Sequence, residues 1–596
     1  MKQLITTLLA LGMACGAGAQ TLSINTGSIS YLVPASEAGN MLYNNGNTLS
    51  VLGSSFALSN IGSIVVSDTT VTASTVGITY ADSVAHVCVP YNLMQLLTVN
   101  VNGAHVSIVQ SPDVSKEVTY VLSGQSANGS FYMDGELKAS LVLNGITLVN
   151  PDSAAINIDD GKRIALTLQD GTVNSLTDGS SASSKGALMV NGHLEVKGGG
   201  TLNLTGLKKH ALWTDEYLEL KKSTGVINIL SSVADGMNIN QYMLMKGGTV
   251  NITSPGDDGI SVSCKGDSVY SENGTFTLEG GTLNITGITA AAAKGVKTEG
   301  SLYIKGGSLN LTATGAGAKG ISADSAVYIS GDSTTQVTIS TTGSRYTYGS
   351  SSGWGQSSSS QHSSAKGIKA DTYLEISGGK VKVSATGGEG SEGIESKGEL
   401  RITGGEVWVK SYDDAINSSS HMYINGGTIT AIATGNDGLD ANGNLYFNGG
   451  YTMAFGTSSP ECGIDANEEG GYHVYFNGGT LLAAGGGNSV PTTAGQAYVS
   501  TSASLTASTT VQLLNSTDTL ATFTIPAEYT ASQGGGGWRA PGGGGGPGGG
   551  GGGRPGGGGS SSLLITCSGL TAGSSYTLSN NGSTSSVTAV TTGSSR

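Results

Sequence analysis

The stretch TGGEVWVK at 403–410 follows SGGKVKVS at 377–384 and precedes NGGTITAI at 425–432. In each copy, two glycines lead into residues that alternate between apolar and other side chains. A fixed period of 20 to 50 residues or so is typical of a solenoid, and alternation with period two predicts strands rather than helices. The chain is therefore predicted to be all-β, a parallel β-helix. Further copies, mostly beginning 22 to 33 residues apart, are KGGTVNIT at 246–253, EGGTLNIT at 279–286, KGGSLNLT at 305–312, NGGYTMAF at 448–455 and NGGTLLAA at 477–484.

Composition and the N-terminal residues indicate an exported protein. The 96 glycines and 12% charged residues among 596 positions suit a turn-rich β protein. Acidic residues outnumber basic ones by 42 to 28, which argues against a nucleic-acid partner. Residues 1–19 resemble a secretory signal peptide, so we expect a secreted or cell-surface protein, with lipid attachment at Cys15 as the less favoured alternative. No later segment has the ~18 apolar residues of a membrane span.

The repeats divide the chain into four predicted parts. Residues 1–19 are the signal peptide and 20–112 a small N-terminal β unit. Residues 113–495 form the β-helix, interrupted by a loop at 343–364. Residues 496–596 form a C-terminal β cap, with a glycine-rich loop at 534–559 whose composition cannot bury a core. A cap is expected because an open solenoid end exposes an aggregation-prone edge.

Stacked coils place equivalent residues about 4.8 Å apart, so each aligned column becomes a row on the surface. Asn203, Asn251 and Asn284 are expected to form one hydrogen-bonded row. Trp408 should project outward, where an indole could receive a sugar ring. A second row contains Tyr303, Tyr328, Tyr423 and Tyr446, which are either stacking ladders or a carbohydrate-binding strip.

A third row follows the corners of the coils, and its charges are sorted into blocks. Lys294, Lys319 and Lys366 form a basic block that could contact an anionic polymer. Two like charges 5 Å apart repel by roughly 3 kcal/mol at an effective dielectric of 20, and bound Ca²⁺ would remove this repulsion. A solvated acidic corner is the alternative to a calcium site. The candidate calcium ligands are Asp257, Asp258, Glu392, Glu395, Asp413, Asp414, Asn436, Asp437, Asp440 and Asp465.

Several phrases resemble a known family. They are DGTVNSLTDG at 170–179, AKGIKAD at 365–371, DDAIN at 413–417, NDGLDANG at 436–443 and LLITCSGLTAGSSYTL at 563–578. The family comprises secreted bacterial carbohydrate-binding proteins that form calcium-containing right-handed β-helices, similar in fold to pectate lyases, and bind cellulose and polygalacturonate. The resemblance implies a right-handed β-helix with bound calcium. Cys462 stands where an acidic corner residue would be expected.

We therefore predict an exported, monomeric, non-catalytic protein that binds a cellulosic or pectic polysaccharide along a calcium-stabilised wall. One alternative is a calcium-dependent polysaccharide lyase, which needs calcium beside a uronate and a basic side chain to remove a proton. A purely structural or adhesive surface protein is the other alternative.

Overall fold

The computed structural model describes residues 20–39, 41–44, 46–181, 183–348, 361–530 and 561–593. The predicted signal 1–19, the tract 534–559 and the middle of the 343–364 loop lie outside these residues. The chain is an all-β parallel solenoid of about 14 turns, which confirms the predicted fold class. Its internal contacts separate two compact units, Met1–Asn284 and Ile285–Arg596. None of the described residues forms a helix long and apolar enough to cross a membrane.

Each regular coil contributes one strand to each of three parallel sheets, named sheets I, II and III in chain order. In one coil these strands are Glu392–Ser396, Glu399–Ile402 and Glu406–Ser411. Alternate residues of each strand point inward, so Ile394, Leu400 and Val407 are buried in the solenoid core. The outward residues form the predicted surface rows.

The glycine pair makes the tight turn between sheets II and III. A Cβ at Gly426 would lie 2.5 Å from the Thr403 carbonyl oxygen of the preceding coil. Gly427 has φ +84°, which L side chains rarely adopt. One glycine is therefore required by close stacking and the other by backbone conformation.

The first unit contains the earlier coils. Its sheet I comprises Gly129–Asp134, Ile156–Ile158, Gly186–Val190, His210–Thr214, Met237–Ile239 and Ile260–Val262. Its sheet II comprises Ile164–Leu168, Leu194–Lys197, Leu218–Leu220, Met243–Met245 and Phe276–Leu278. Its sheet III comprises Val173–Asp178, Thr201–Gly206, Val226–Ser232, Thr249–Ile252 and Thr282–Ile288, the last containing the unit boundary; Ala139–Asn150 contributes to both II and III.

The second unit repeats this arrangement. Its sheet I comprises Lys294–Thr298, Lys319–Ala323, Lys366–Ala370, Glu392–Ser396, Ile416–Ser418, Leu439–Ala441 and Ile464–Ala466. Its sheet II comprises Leu302–Ile304, Ala326–Ile329, Tyr373–Ile376, Glu399–Ile402 and Met422–Ile424. Its sheet III comprises Ser308–Ala313, Gln336–Thr341, Lys380–Ala385, Glu406–Ser411 and Thr428–Ala433; Leu445–Phe455 and Val474–Gly485 contribute to both II and III.

Residues 20–112 form mainly short antiparallel strands, with short 3-10 turns at Leu58–Asn60 and Tyr91–Leu93. Thr75–Ala81 pairs in parallel with Thr119–Ser126, and Ala104–Gln110 with Gly129–Asp134. This segment is thus hydrogen-bonded directly to the opening strands of the solenoid. Its other strands are Thr21–Thr26, Ile29–Pro34, Leu42–Asn44, Thr48–Val51, Ser54–Ala57, Ser63–Ser67, Val84–Pro90 and Leu97–Asn102.

The C-terminal residues form the predicted cap. Ser561–Thr566 pairs antiparallel with Val474–Gly485, which ends the parallel ladder of the last described coil. Tyr498–Ala503 pairs antiparallel with Ser561–Thr566 on its other side. The remaining cap strands are Thr510–Leu514, Thr519–Thr524, Ser575–Asn580 and Ser583–Thr588; a short 3-10 turn at Glu468–Gly470 precedes Val474–Gly485.

Side-chain ladders reinforce the stacking. Asn228, Asn251 and Asn284 each donate from Nδ2 to the Oδ1 of the asparagine one coil earlier, beginning at Asn203, over 2.8 Å. The expected asparagine row is therefore present, and it includes Asn228, which the sequence analysis omitted.

Candidate functional site

Tyrosines of sheet II in the second unit stack along the outer wall. The Tyr423 and Tyr446 rings lie 4.7 Å apart and within 5° of parallel, and Tyr475 continues the stack at 4.7 Å. Tyr303 and Tyr328 form a second stack at 5.1 Å. All of these tyrosines are half-buried. The sequence-derived stacking ladders are therefore present.

Stacking decides which part of each ring can meet a ligand. Tyr446 has a tyrosine over each face, and the Arg401 guanidinium covers Tyr423 at 4.5 Å from the ring centroid. A sugar ring cannot lie flat on these faces. The ladder can instead offer ring edges and hydroxyls in a row with the spacing of the strands.

Trp408 projects outward between Lys382 and Thr430, as predicted from its position in the strand. The Lys382 ammonium lies 4.9 Å from its ring centroid. The indole is partly buried against an apolar cluster made largely of C-terminal residues, among them Phe523 and Tyr529. A protein segment therefore covers this side chain in part.

Lysines occupy neighbouring positions on sheet I of the second unit. Lys294 pairs in register with Lys319, and Lys319 with Lys366. Lys366 Nζ lies 2.6 Å from Glu392 Oε1, and Lys319 Nζ donates to the Ser363 hydroxyl over 2.7 Å. The expected basic row is thus assembled, with Lys366 neutralised by a carboxylate.

Glu392 and Glu395 form ion pairs with lysines and do not join the aspartates farther along sheet I. Both carboxylates pair with Lys366, and Glu395 also pairs with Lys397. The lysines hold Oε1 of each carboxylate, whereas Oε2 of each is buried and has no hydrogen-bond partner among the described residues. Neither residue belongs to the cluster described next.

Three aspartates converge on sheet I of the second unit. The ligand oxygens of Asp437, Asp440 and Asp465 all lie within 4.8 Å of one another. Two calcium–oxygen bonds of roughly 2.3–2.6 Å span a similar distance. The Cys462 thiol lies 3.9 Å from Asp465 Oδ1, at the position where an acidic residue was expected.

Asp414 and Asn417 border this cluster on the preceding coil. Asn417 Nδ2 donates to Asp414 Oδ2 over 2.9 Å and to Asp440 Oδ2 over 3.3 Å. Asn417 Oδ1 is buried and has no hydrogen-bond partner among the described residues. Burial and the nearby carboxylates of Asp414 and Asp465 raise the pKa of Asp437 to about 8, although the Cys462 backbone N–H donates to its Oδ1. An oxygen-rich, electrostatically strained site of this kind fits Ca²⁺.

The other predicted ligands occupy different surroundings. Asp413 and Asn436 are half-buried at the corners beside Asp414 and Asp437. Asp257 is exposed in the first unit, whereas Asp258 is buried. Asp258 donates its backbone N–H to Asp235 Oδ1 over 3.3 Å, and Asp235 also lies 3.5 Å from His210 Nδ1.

Sequence reasoning missed an aromatic cluster in the first unit. His193, Tyr217 and Tyr242 stack at 4.3 and 4.7 Å, and Tyr270 meets the His193 and Tyr217 rings nearly edge-on. Each stacked residue immediately precedes a sheet II strand. Aligning that column, two positions before the column that contains Tyr303 and Tyr328, would reveal the stack.

The sequence matches the profile of a known protein family. The profile of the family described as "Carbohydrate-binding domain-containing protein" matches residues 103–388 and 386–527. The chain belongs to this carbohydrate-binding family. The matched region includes the tyrosine stacks, the lysine row and the aspartate cluster.

A solved structure also resembles this member of the carbohydrate-binding family. It is titled as the polysaccharide lyase-like protein from C. thermocellum, gadolinium derivative, and shares 20% identity with a TM-score of 0.34. The match covers 51% of this chain and 96% of that one. No curated protein matches the sequence.

Proposed function

We propose that the chain is an exported, non-catalytic protein that binds a cellulosic or pectic polysaccharide along sheet II of its second unit. The observation that carries the proposal is the row formed by Tyr423, Tyr446 and Tyr475, which repeats at the strand spacing. A polymer also repeats, so equivalent sugars can meet equivalent side chains. Membership of the carbohydrate-binding family supports this class of ligand.

The tyrosine edges set the chemistry of recognition. Because neighbouring rings cover the faces of Tyr446, its phenolic oxygen is the part suited to a sugar hydroxyl. Asn444 Nδ2 donates to that oxygen over 2.9 Å, which leaves its own O–H free to donate. Hydrogen bonds repeated along the wall would hold the chain without enclosing it.

Calcium would be held by Asp437, Asp440 and Asp465, with Asp414 and Asn417 beside them. Bound Ca²⁺ supplies positive charge that offsets the repulsion among these buried carboxylates. We assign the ion to stabilisation of the coils, because these residues lie on sheet I while the tyrosine row lies on sheet II.

The positions of the lysines support binding rather than elimination. Lys319 and Asp437 lie four strands apart along sheet I, roughly 19 Å at the spacing of neighbouring strands. A calcium-assisted lyase needs its base and its ion at the same sugar. Lys366 is closer, but its ammonium is paired with Glu392.

The test is to replace both Tyr423 and Tyr446 by Phe, which removes two hydroxyls and keeps the stacked rings. Affinity for the bound polysaccharide should fall at least about fivefold, since each lost hydrogen bond contributes about 0.5–1.5 kcal/mol. Affinity electrophoresis measures the loss, and thermal melts check the fold.

Tyr132→Phe is the matched control, because it removes a hydroxyl from a different sheet in the first unit. Its affinity should equal that of the wild type. A double Phe variant that binds as tightly as this control would remove the tyrosine row from the binding surface.

A further inference from the structure

The interruption of the repeat at 343–364 begins and ends as an antiparallel strand pair. Tyr346, Thr347 and Tyr348 lie opposite Ser363, His362 and Gln361, respectively. Residues directly opposite one another share a face of such a pair, and successive residues alternate faces. Tyr346, Tyr348, Gln361 and Ser363 therefore share one face.

Lys319 reaches that same face. Its Nζ donates to the Ser363 hydroxyl over 2.7 Å, and this hydroxyl donates to the Gly317 carbonyl over 2.9 Å. Among the described residues, no carboxylate forms an ion pair with Lys319. The ammonium is thus positioned by neutral groups.

The surroundings of Lys319 favour an anion. Burial, together with Lys294, Lys369 and Lys366, lowers the pKa of Lys319 to about 8. Positive charges held close together in a partly buried site repel one another, and an anionic ligand would relieve that repulsion. Lys366 and Lys369 are paired with carboxylates, whereas Lys319 is held by the neutral Ser363 hydroxyl.

Two aromatic rings share a face of the strand pair with Ser363, the residue that Lys319 contacts. Tyr346 and Tyr348 meet at 4.9 Å with their planes at 77°, and Tyr348 is 44% exposed. Tyr348 lies two residues along the strand from the position opposite Ser363, roughly 7 Å away. Unlike the sheet II tyrosines, Tyr348 is not covered on both faces by stacked rings among the described residues.

The base of the strand pair is fixed to the solenoid. Gly317 donates its N–H to the Ser344 carbonyl over 2.6 Å, and a Cβ on Gly317 would lie 2.9 Å from the Tyr346 Cβ. Arg345 pairs with Glu389 at 2.7 Å. The tyrosines are therefore held against the Lys319 corner.

We infer that Lys319, Tyr346 and Tyr348 form a second carbohydrate subsite that selects a sugar bearing an anionic group. The ammonium receives the carboxylate or sulfate, and Tyr348 packs against the pyranose ring. This inference rests on the proposed polysaccharide-binding function but uses a different surface from the tyrosine row. It gives the insertion a role in discriminating acidic from neutral polymers.

The test compares Tyr348→Ala and Lys319→Met with the wild-type chain on polygalacturonate, dextran sulfate and cellulose. Each change should weaken polygalacturonate binding roughly three- to tenfold, consistent with the loss of one aromatic or charged contact. Cellulose binding should stay unchanged. An equal loss on dextran sulfate assigns the subsite to anions in general, and a loss on polygalacturonate alone assigns it to carboxylates.

Thr347→Ala is the matched control, because Thr347 lies on the opposite face of the same strand. Tyr348→Ala keeps the test valid if Lys319→Met fails to fold, since Tyr348 is exposed. Unchanged polygalacturonate affinity in Tyr348→Ala, with wild-type binding intact, would overturn the subsite alone. A wild-type chain that binds none of the polymers would instead contradict the proposed function.

Discussion

Trp408 shows how far a single position can be predicted from local sequence. The alternation of Val407, Trp408 and Val409 correctly places both valines in the core and the indole outside. The C-terminal residues that cover the indole are more than 100 positions away in the chain. No local pattern indicates that contact, so exposure was predicted where partial burial occurs.

We expect Trp408→Ala to lower the free energy of unfolding by about 1–3 kcal/mol, because a partly buried indole loses apolar contacts. Polysaccharide affinity of the folded fraction should not change. Urea unfolding and pull-down measure the two quantities, with Trp408→Phe as the milder control. If the variant kept its stability but lost its affinity for polysaccharide, Trp408 would instead be part of the sugar-binding surface.

The sheet I strands show what alignment of repeats can and cannot predict. The column order correctly brought the lysines into one row and Asp437, Asp440 and Asp465 into one cluster. It did not predict the ion pairs that Lys366 and Lys397 form with Glu392 and Glu395. That choice depends on side-chain reach across coils, which spacing along the chain does not encode.

Calcium should raise the stability of the second unit through this aspartate cluster. An ion bound only by the folded state adds about 2.7 kcal/mol at a hundredfold excess over its Kd. The wild type should therefore have a higher melting temperature in calcium than in chelator. Superimposable wild-type curves would contradict the calcium site.

The double variant Asp437→Asn with Asp440→Asn should melt at the same temperature with calcium as with chelator. In chelator near neutral pH it should also melt above the wild type, because the raised pKa of Asp437 forces the folded wild type to take up a proton that the unfolded chain releases, whereas asparagine needs none. Asp267→Asn, an exposed change in the first unit outside the candidate ligands, is the control and should keep the wild-type calcium shift.

At the scale of the whole chain, the architecture can be predicted because the repeat specifies both the turn and the strand. The glycine pair and the alternation that follows it predict the solenoid, and the loss of the repeat beyond residue 485 predicts a cap. Interruptions of the period can be located from the sequence, but the contacts that their residues make cannot. The strand pair flanking 349–360 and Tyr270 lie outside the repeated strands, so no periodicity constrains their contacts.

We propose that this solenoid holds a polysaccharide without cleaving it. The most direct measurement incubates the wild-type chain with calcium and polygalacturonate or cellulose, then quantifies bound protein and released oligosaccharides together. We expect retention on at least one polymer, with no unsaturated uronides and no new reducing ends. Release of unsaturated uronides would contradict it in favour of a lyase, and absence of retention on both polymers would contradict it outright.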